Sequence, residues 1–158
     1  MTDPSPVGVD YSGIHGDIVA LLEMARRAAA RSVNALMTAT YWEIGRCIIE
    51  FEQGGQDRAA YGQFLLKRLS ADLSSRFGRG FSERNLEQMR LFYLAWPASH
   101  ISQTASAKSD LAALAQVFPL PWSAYVRLLS VKNEQARAFY ETESLRSGWS
   151  ERQLDRQI

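Results

Sequence analysis

The stretch 69–96, LSADLSSRFGRGFSERNLEQMRLFYLAW, limits the fold more than any other part of the chain. One apolar run at helical spacing leads into a glycine corner, and a second such run follows it. It reads as helix, turn, helix. Ser82 is placed to cap the second helix, and Leu86, Met89, Tyr93 and Trp96, spaced by three and four, form one buried stripe. Arg84, Glu87, Gln88 and Leu91 then project away from the stripe, with Asn85 and Arg90 on its flanks. An outer face of this kind, at the start of the second helix, is what a helix-turn-helix offers the major groove of DNA. There Arg suits guanine, and Asn or Gln suits adenine. Helical hairpins of every function also carry polar outer faces, and Glu87 repels phosphate, so the pattern does not decide alone.

Charge adds to it. The net charge of +1 is unevenly spread: residues 1–57 carry four Arg against eight acids, residues 58–90 seven Lys or Arg against three, and residues 91–158 seven against six. The basic excess falls on the helix–turn–helix stretch, where a phosphate-contacting surface needs it, although a solvated helical face would explain so modest an excess as well. The candidate DNA contacts are Arg68, Arg76 and Arg79 for phosphate, and Arg84, Asn85 and Gln88 for bases.

Residues 1–13, with Pro4, Pro6, Gly8 and Gly13, are expected to be a flexible N-terminal lead-in to a helical domain over 14–158. From Ile14 to about Gln53 apolar residues recur at three-four spacing without Pro, which predicts one long helix or two nearly in line, with a bend near Ser32 and Asn34. So long a stripe needs covering, either by the later helices or by a partner, including a second copy of the chain. Gly45, within YWEIGRCIIE, is expected to be a packing notch where another backbone approaches. Tyr61, Phe64, Leu65, Leu69, Leu73 and Phe77 mark the next helix. Beyond Pro97 the polar 97–109 segment reads as a loop and as a place where the domain could subdivide. Helices follow at about 109–118, from Trp122 or Ser123, and over 133–147, the last with Ala136, Phe139, Tyr140 and Leu145 inward.

The end of the chain repeats the corner. GFSERNLE at 80–87 and GWSERQLD at 148–155 share five identities and three close substitutions in eight positions. Both place an aromatic before a Ser cap, as a hydrophobic staple does, so two helix-turn-helix-like units or one shared capping solution are implied. The second helix has barely begun at Ile158, as if the parent architecture were longer.

The fold class expected is all-α: a multi-helix domain with a long N-terminal helix. No run is long enough to span a membrane and no secretory leader is visible; with the single Cys47, in an apolar helical run, this suits a cytoplasmic setting. No catalytic constellation can be assembled. His15 and His100 lack companions at metal-ligand spacing, and an acid two residues before a Lys, as a metal nuclease needs, is missing because Leu65, Ser106 and Ser130 precede Lys67, Lys108 and Lys132. No metal and no cofactor is expected.

The segments VNALMTATYWEIGRCIIEFEQGGQDRAAYGQFLLKRLSADLSSRFGRGFSERNLEQMRLFY, PWSAYVRLLSV and FYETESLRSGWSERQLDRQI resemble the N-terminal domain of the YhcG-like PD-(D/E)XK nuclease proteins, a bacterial family. Shared motif positions include Asn34, Trp42, Gly45, Arg46, Gly78, Gly80, Phe81, Leu86, Arg90, Trp122 and Trp149. The resemblance implies an all-helical domain, for DNA binding or association, without the nuclease half. The expected function is therefore a non-catalytic, helix-turn-helix-like DNA-binding module associated with a nuclease. Its partners would be double-stranded DNA and a nuclease subunit. The alternative is a protein-interaction domain, a homodimer through the long first helix and the exposed Leu91.

Overall fold

The computed structural model describes residues 5–54, 56–98, 101 and 111–158, and among them the only regular structure is helical. The helices are α1 (Ser5–Glu52), α2 (Gln56–Phe77), α3 (Glu83–Ala95), α4 (Leu111–Ala115), α5 (Trp122–Leu128), α6 (Glu134–Ser147) and α7 (Glu151–Gln157). The fold is all-α. α1 starts at Ser5, so residues 5–13 are helical where the sequence predicts a lead-in. Pro6 does not oppose this, because the first turn's N–H groups have no intrahelical acceptor.

The chain divides into two compact units, Met1–Val33 and Asn34–Ile158. The boundary falls where the sequence suggests a bend, yet α1 continues through it as helix. The 97–109 loop, the expected place of subdivision, lies inside the second unit; its residues 99–100 and 102–109 are outside the described residues. In the first unit every side chain from Tyr11 to Val33 is exposed, Ile14, Ile18, Leu21, Leu22 and Met24 included.

The second unit holds the core. Ala39 and Trp42 of α1, Phe92 of α3, Phe118, Tyr125 and Leu128 around α5, and Leu154 of α7 are buried in one cluster. Phe92 is its hub, with ring centroids 5.0 Å from Phe118, 5.0 Å from Tyr125, 5.2 Å from Trp96 and 5.2 Å from Trp122. Such pairs add roughly 1 kcal/mol each beyond the area they bury. The α3 stripe is thus wider than the spacing predicts: Leu86, Met89 and Phe92 are fully buried, while Tyr93 and Trp96 are half-buried at its edges. Trp42 donates its indole N–H to the Trp96 carbonyl at 2.7 Å, closing the end of α3 onto α1.

Two inward assignments need correcting. Phe139 and Leu145 of α6 are exposed, because the helix turns Tyr140 and Ser144 toward the unit instead. On α2, Leu65, Leu69 and Leu73 are half-buried, whereas Phe64 and Phe77 stand in solvent.

Gly45 is the notch the sequence suggests. A Cβ built there would overlap the Met89 carbonyl and lie 3.1 Å from Tyr93 Cβ, so α1 and α3 cross with backbone against backbone. Gly45→Ala gains about 1 kcal/mol of helix propensity. It loses about 3 kcal/mol or more to an overlap that no side-chain rotation relieves. Urea unfolding should therefore show Gly45→Ala less stable by about 2 kcal/mol or more; stability equal to or above wild type would disprove the close crossing.

Candidate nucleic-acid interface

The corner between α2 and α3 is built by local chemistry. Gly78 (φ 83°) and Gly80 (φ 106°) take backbone conformations that side chains disfavour, which turns the chain within five residues. Ser82 accepts from the Asn85 N–H at 3.1 Å and caps α3, and Phe81 packs 6.1 Å from Phe77 across the turn.

Asn85 locks this corner to the rest of the unit. Its amide N–H donates to the Gly80 carbonyl, and its amide oxygen accepts the Trp122 indole N–H at 3.1 Å. Both ends of the side chain are engaged. Asn85, expected to contact bases, is thereby occupied in fixing where α3 starts relative to α5. Nothing in its own neighbourhood in sequence announces the bond, because Trp122 lies 37 residues away.

The remaining expected contacts are distributed as follows. Arg68, Arg76, Arg79 and Arg84 are exposed, and Gln88 is half-buried on the outer face of α3. Arg68 bonds the Tyr61 hydroxyl and lies near Asp72, which both raise its pKa. Arg76 stacks 5.3 Å over the Phe77 ring. Among the described residues Arg76, Arg79 and Arg84 have no carboxylate partner.

Several other cations of this unit are spent internally. Arg90 grips Glu52 through two nitrogens at 2.8 and 3.0 Å and reaches Glu87 at 3.4 Å. The Glu52 hydrogen bond raises its already high pKa, outweighing partial burial. Arg46 sits between Glu43 and Glu50. Arg137 donates to the Val131 and Ala95 carbonyls at 3.1 and 3.3 Å and covers the Trp96 ring at 5.3 Å. Glu87, which would repel phosphate, is thus partly offset by Arg90.

Beyond Gln88 the outer face of α3 turns apolar. Leu91 and Leu94 line an open cleft of about 440 Å³ with Leu129 and Arg137. Cys47, expected in an apolar setting, is exposed on α1. Among the described residues no three His, Cys, Asp or Glu side chains are grouped to hold a metal, and no helix is long and apolar enough to cross a membrane.

The second copy of the motif folds as the first does. Gly148 (φ 63°) ends α6, Ser150 caps α7, and Leu154 is fully buried as Leu86 is.

The Trp122–Asn85 bond has a measurable consequence. Trp122→Phe keeps an aromatic ring, smaller than the indole, and removes the donor, and should cost about 1 kcal/mol or more in urea unfolding. Arg84→Ala, at a solvated position, should stay within about 0.5 kcal/mol of wild type. Equal stability of the two variants would show that Trp122 does not hold the corner.

Comparison with known proteins gives a family. The model of the DUF1016 N-terminal domain matches residues 17–158. The Escherichia coli (strain K12) protein named "Putative nuclease YhcG" is 56% identical over 166 residues, an alignment covering 94% of this chain and 44% of that protein. The chain therefore spans less than half the length of that relative. No solved structure matches it.

Proposed function

Since the chain belongs to the family of the DUF1016 N-terminal domain, we propose that it is a non-catalytic module that binds double-stranded DNA at the α2–α3 corner. It acts in the cytoplasm beside a nuclease activity carried elsewhere. The observation that carries this reading is the corner itself: Arg76, Arg79 and Arg84 are exposed, without carboxylate partners among the described residues, around a turn that Asn85 bonds to the rest of the unit. A fixed turn presents cations to phosphate without first ordering them, which is what makes positional contacts effective.

In this arrangement Arg68, Arg76 and Arg79 anchor phosphate, and Arg84 and Gln88, on the first two turns of α3, face the bases. Asn85 positions them. The name of the Escherichia coli relative, a nuclease, supports DNA as the partner. A second reading, a protein-interaction domain, is favoured by one specific observation: the apolar side chains of α1 between Ile14 and Met24 are exposed.

The test is fluorescence anisotropy of a labelled duplex titrated with the protein over a range of salt. Phosphate contacts make log affinity fall linearly with log salt, and Arg76→Ala or Arg79→Ala should each flatten that slope by about 1. Arg84→Ala should weaken binding while the circular dichroism spectrum stays unchanged. Absence of binding at low salt would overturn the DNA reading, and a slope untouched by either arginine would remove the corner from the interface.

A further inference from the structure

The described residues of the first unit, from Ser5 to Val33, form a single helix whose side chains from Tyr11 to Val33 are all exposed, and its sequence is complementary to its own reverse. From this we infer that residues 14–32 pair with the same residues of a second copy as an antiparallel two-stranded coiled coil.

The heptad fixes the seam. Counting Ile18, Ala25 and Ser32 as a positions makes Ile14, Leu21 and Ala28 the d positions. Large side chains fill the first half of this stripe and small ones the second. In an antiparallel pair each a residue meets a d residue of the other helix, so Ile14 lies against Ser32 of the second copy, Ile18 against Ala28, and Leu21 against Ala25. Every layer then joins one large residue to one small one, and the seam keeps an even width, as close packing requires. A parallel pair would stack Ile on Ile at one end and Ala on Ala at the other.

Charge selects the same register. The g positions are Asp17, Met24 and Arg31. Antiparallel pairing sets g against g, which places Asp17 opposite Arg31 of the second copy on both sides of the two-fold axis and Met24 opposite Met24. In a parallel pair Asp17 would face Leu22. Within one copy Asp17 and Arg31 are fourteen residues apart on a helix, about 21 Å, and cannot meet. The complementarity in size and charge is satisfied when a second copy lies antiparallel to the first.

Exposure fits this occupant. Ile14, Ile18, Leu21, Leu22 and Met24 are between 48% and 63% exposed within eleven residues of one helix, the kind of clustered apolar exposure that marks an interaction surface. An isolated helix gains little stability without a packed face, and pairing provides one.

The test is sedimentation equilibrium of the full chain. Wild type should sediment with twice the 17.8 kDa chain mass. Ile18→Glu should be monomeric with its helical circular dichroism largely kept, since Ile18 is about half exposed and is not a member of the buried cluster. Asp17→Arg and Arg31→Asp should each weaken the dimer roughly tenfold or more, because two symmetric attractions become repulsions. The double variant Asp17→Arg/Arg31→Asp should return to within a few-fold of wild type. A chain that is monomeric at all concentrations, or a dimer indifferent to Ile18→Glu, would overturn the proposal. So would single swaps that the double swap does not rescue: a register shifted by one heptad sets Asp17 against Met24 and leaves nothing to restore.

Discussion

The close crossing at Gly45 is the constraint on which the second unit depends. Without a Cβ there, the Met89 backbone reaches α1, and the two helices come near enough for Trp42 and Tyr93 to meet at 5.1 Å. That approach brings the Trp42 indole within 2.7 Å of the Trp96 carbonyl at the last turn of α3. α3 is thereby held at both ends, by Asn85 and Trp122 at its start and by Trp42 at its finish. Phe92, between them, can then be enclosed by rings from α3, α5 and the segment before α5. A side chain at position 45 would lift α3 and loosen all of these together, because interiors this dense do not absorb a methyl group locally.

Polar groups inside the ring cluster are used to set angles. The Glu141 carboxylate accepts from the Tyr125 hydroxyl at 2.6 Å and from the Trp96 indole at 3.3 Å, so one acid of α6 fixes an aromatic of α5 and one at the end of α3. Burial first, and then the charge of Glu141, push the Tyr125 pKa well up, so the hydroxyl stays a donor. Arg137 completes the arrangement by bonding the Ala95 carbonyl at the C-terminal end of α3. The face of α3 left outside is determined by these internal bonds as much as by its own periodicity.

The helices were legible because their signals are local: three-four spacing, Gly78 and Gly80 at the corner, Ser82 and Ser150 as caps. The family resemblance was legible for the same reason, and the family comparison agrees with it. Phe92 was not, since reading one narrow stripe through Leu86, Met89, Tyr93 and Trp96 passes over a residue that a broad, doubly covered face buries. The bond of Asn85 to Trp122 was not legible either, because it is made only in three dimensions. Phe77, Phe139 and Leu145 show the converse: apolar residues at helical spacing mark a helix, but do not say that anything covers it. The long first stripe posed that question most sharply, and the chain's own fold buries it only from Thr38 onward.

The repeated motif separates what the eight residues do for folding from what they can do for binding. In both copies a glycine with positive φ, an aromatic and a Ser cap start a helix, and the Leu at the seventh position is fully buried. The copies diverge at the sixth. Gln153 is long enough to return to the Ser150 N–H at 2.8 Å and close a capping box, so its amide serves its own helix. Asn85 is shorter and bonds the Gly80 carbonyl and Trp122, which joins its helix to another element. The acids differ too: Glu151 and Asp155 both turn to Arg127, whereas Glu87 answers Arg90 and Arg84, at the start of α3, has no acidic partner among the described residues. Arg152 is exposed like Arg84, but it stands beside that acidic pair on a seven-residue helix, while Arg84 follows a corner already carrying Arg76 and Arg79. The same capping solution therefore yields a structural end in one copy and a basic corner in the other, and the difference rests on one methylene at the sixth position and on which arginine the neighbouring acids reach.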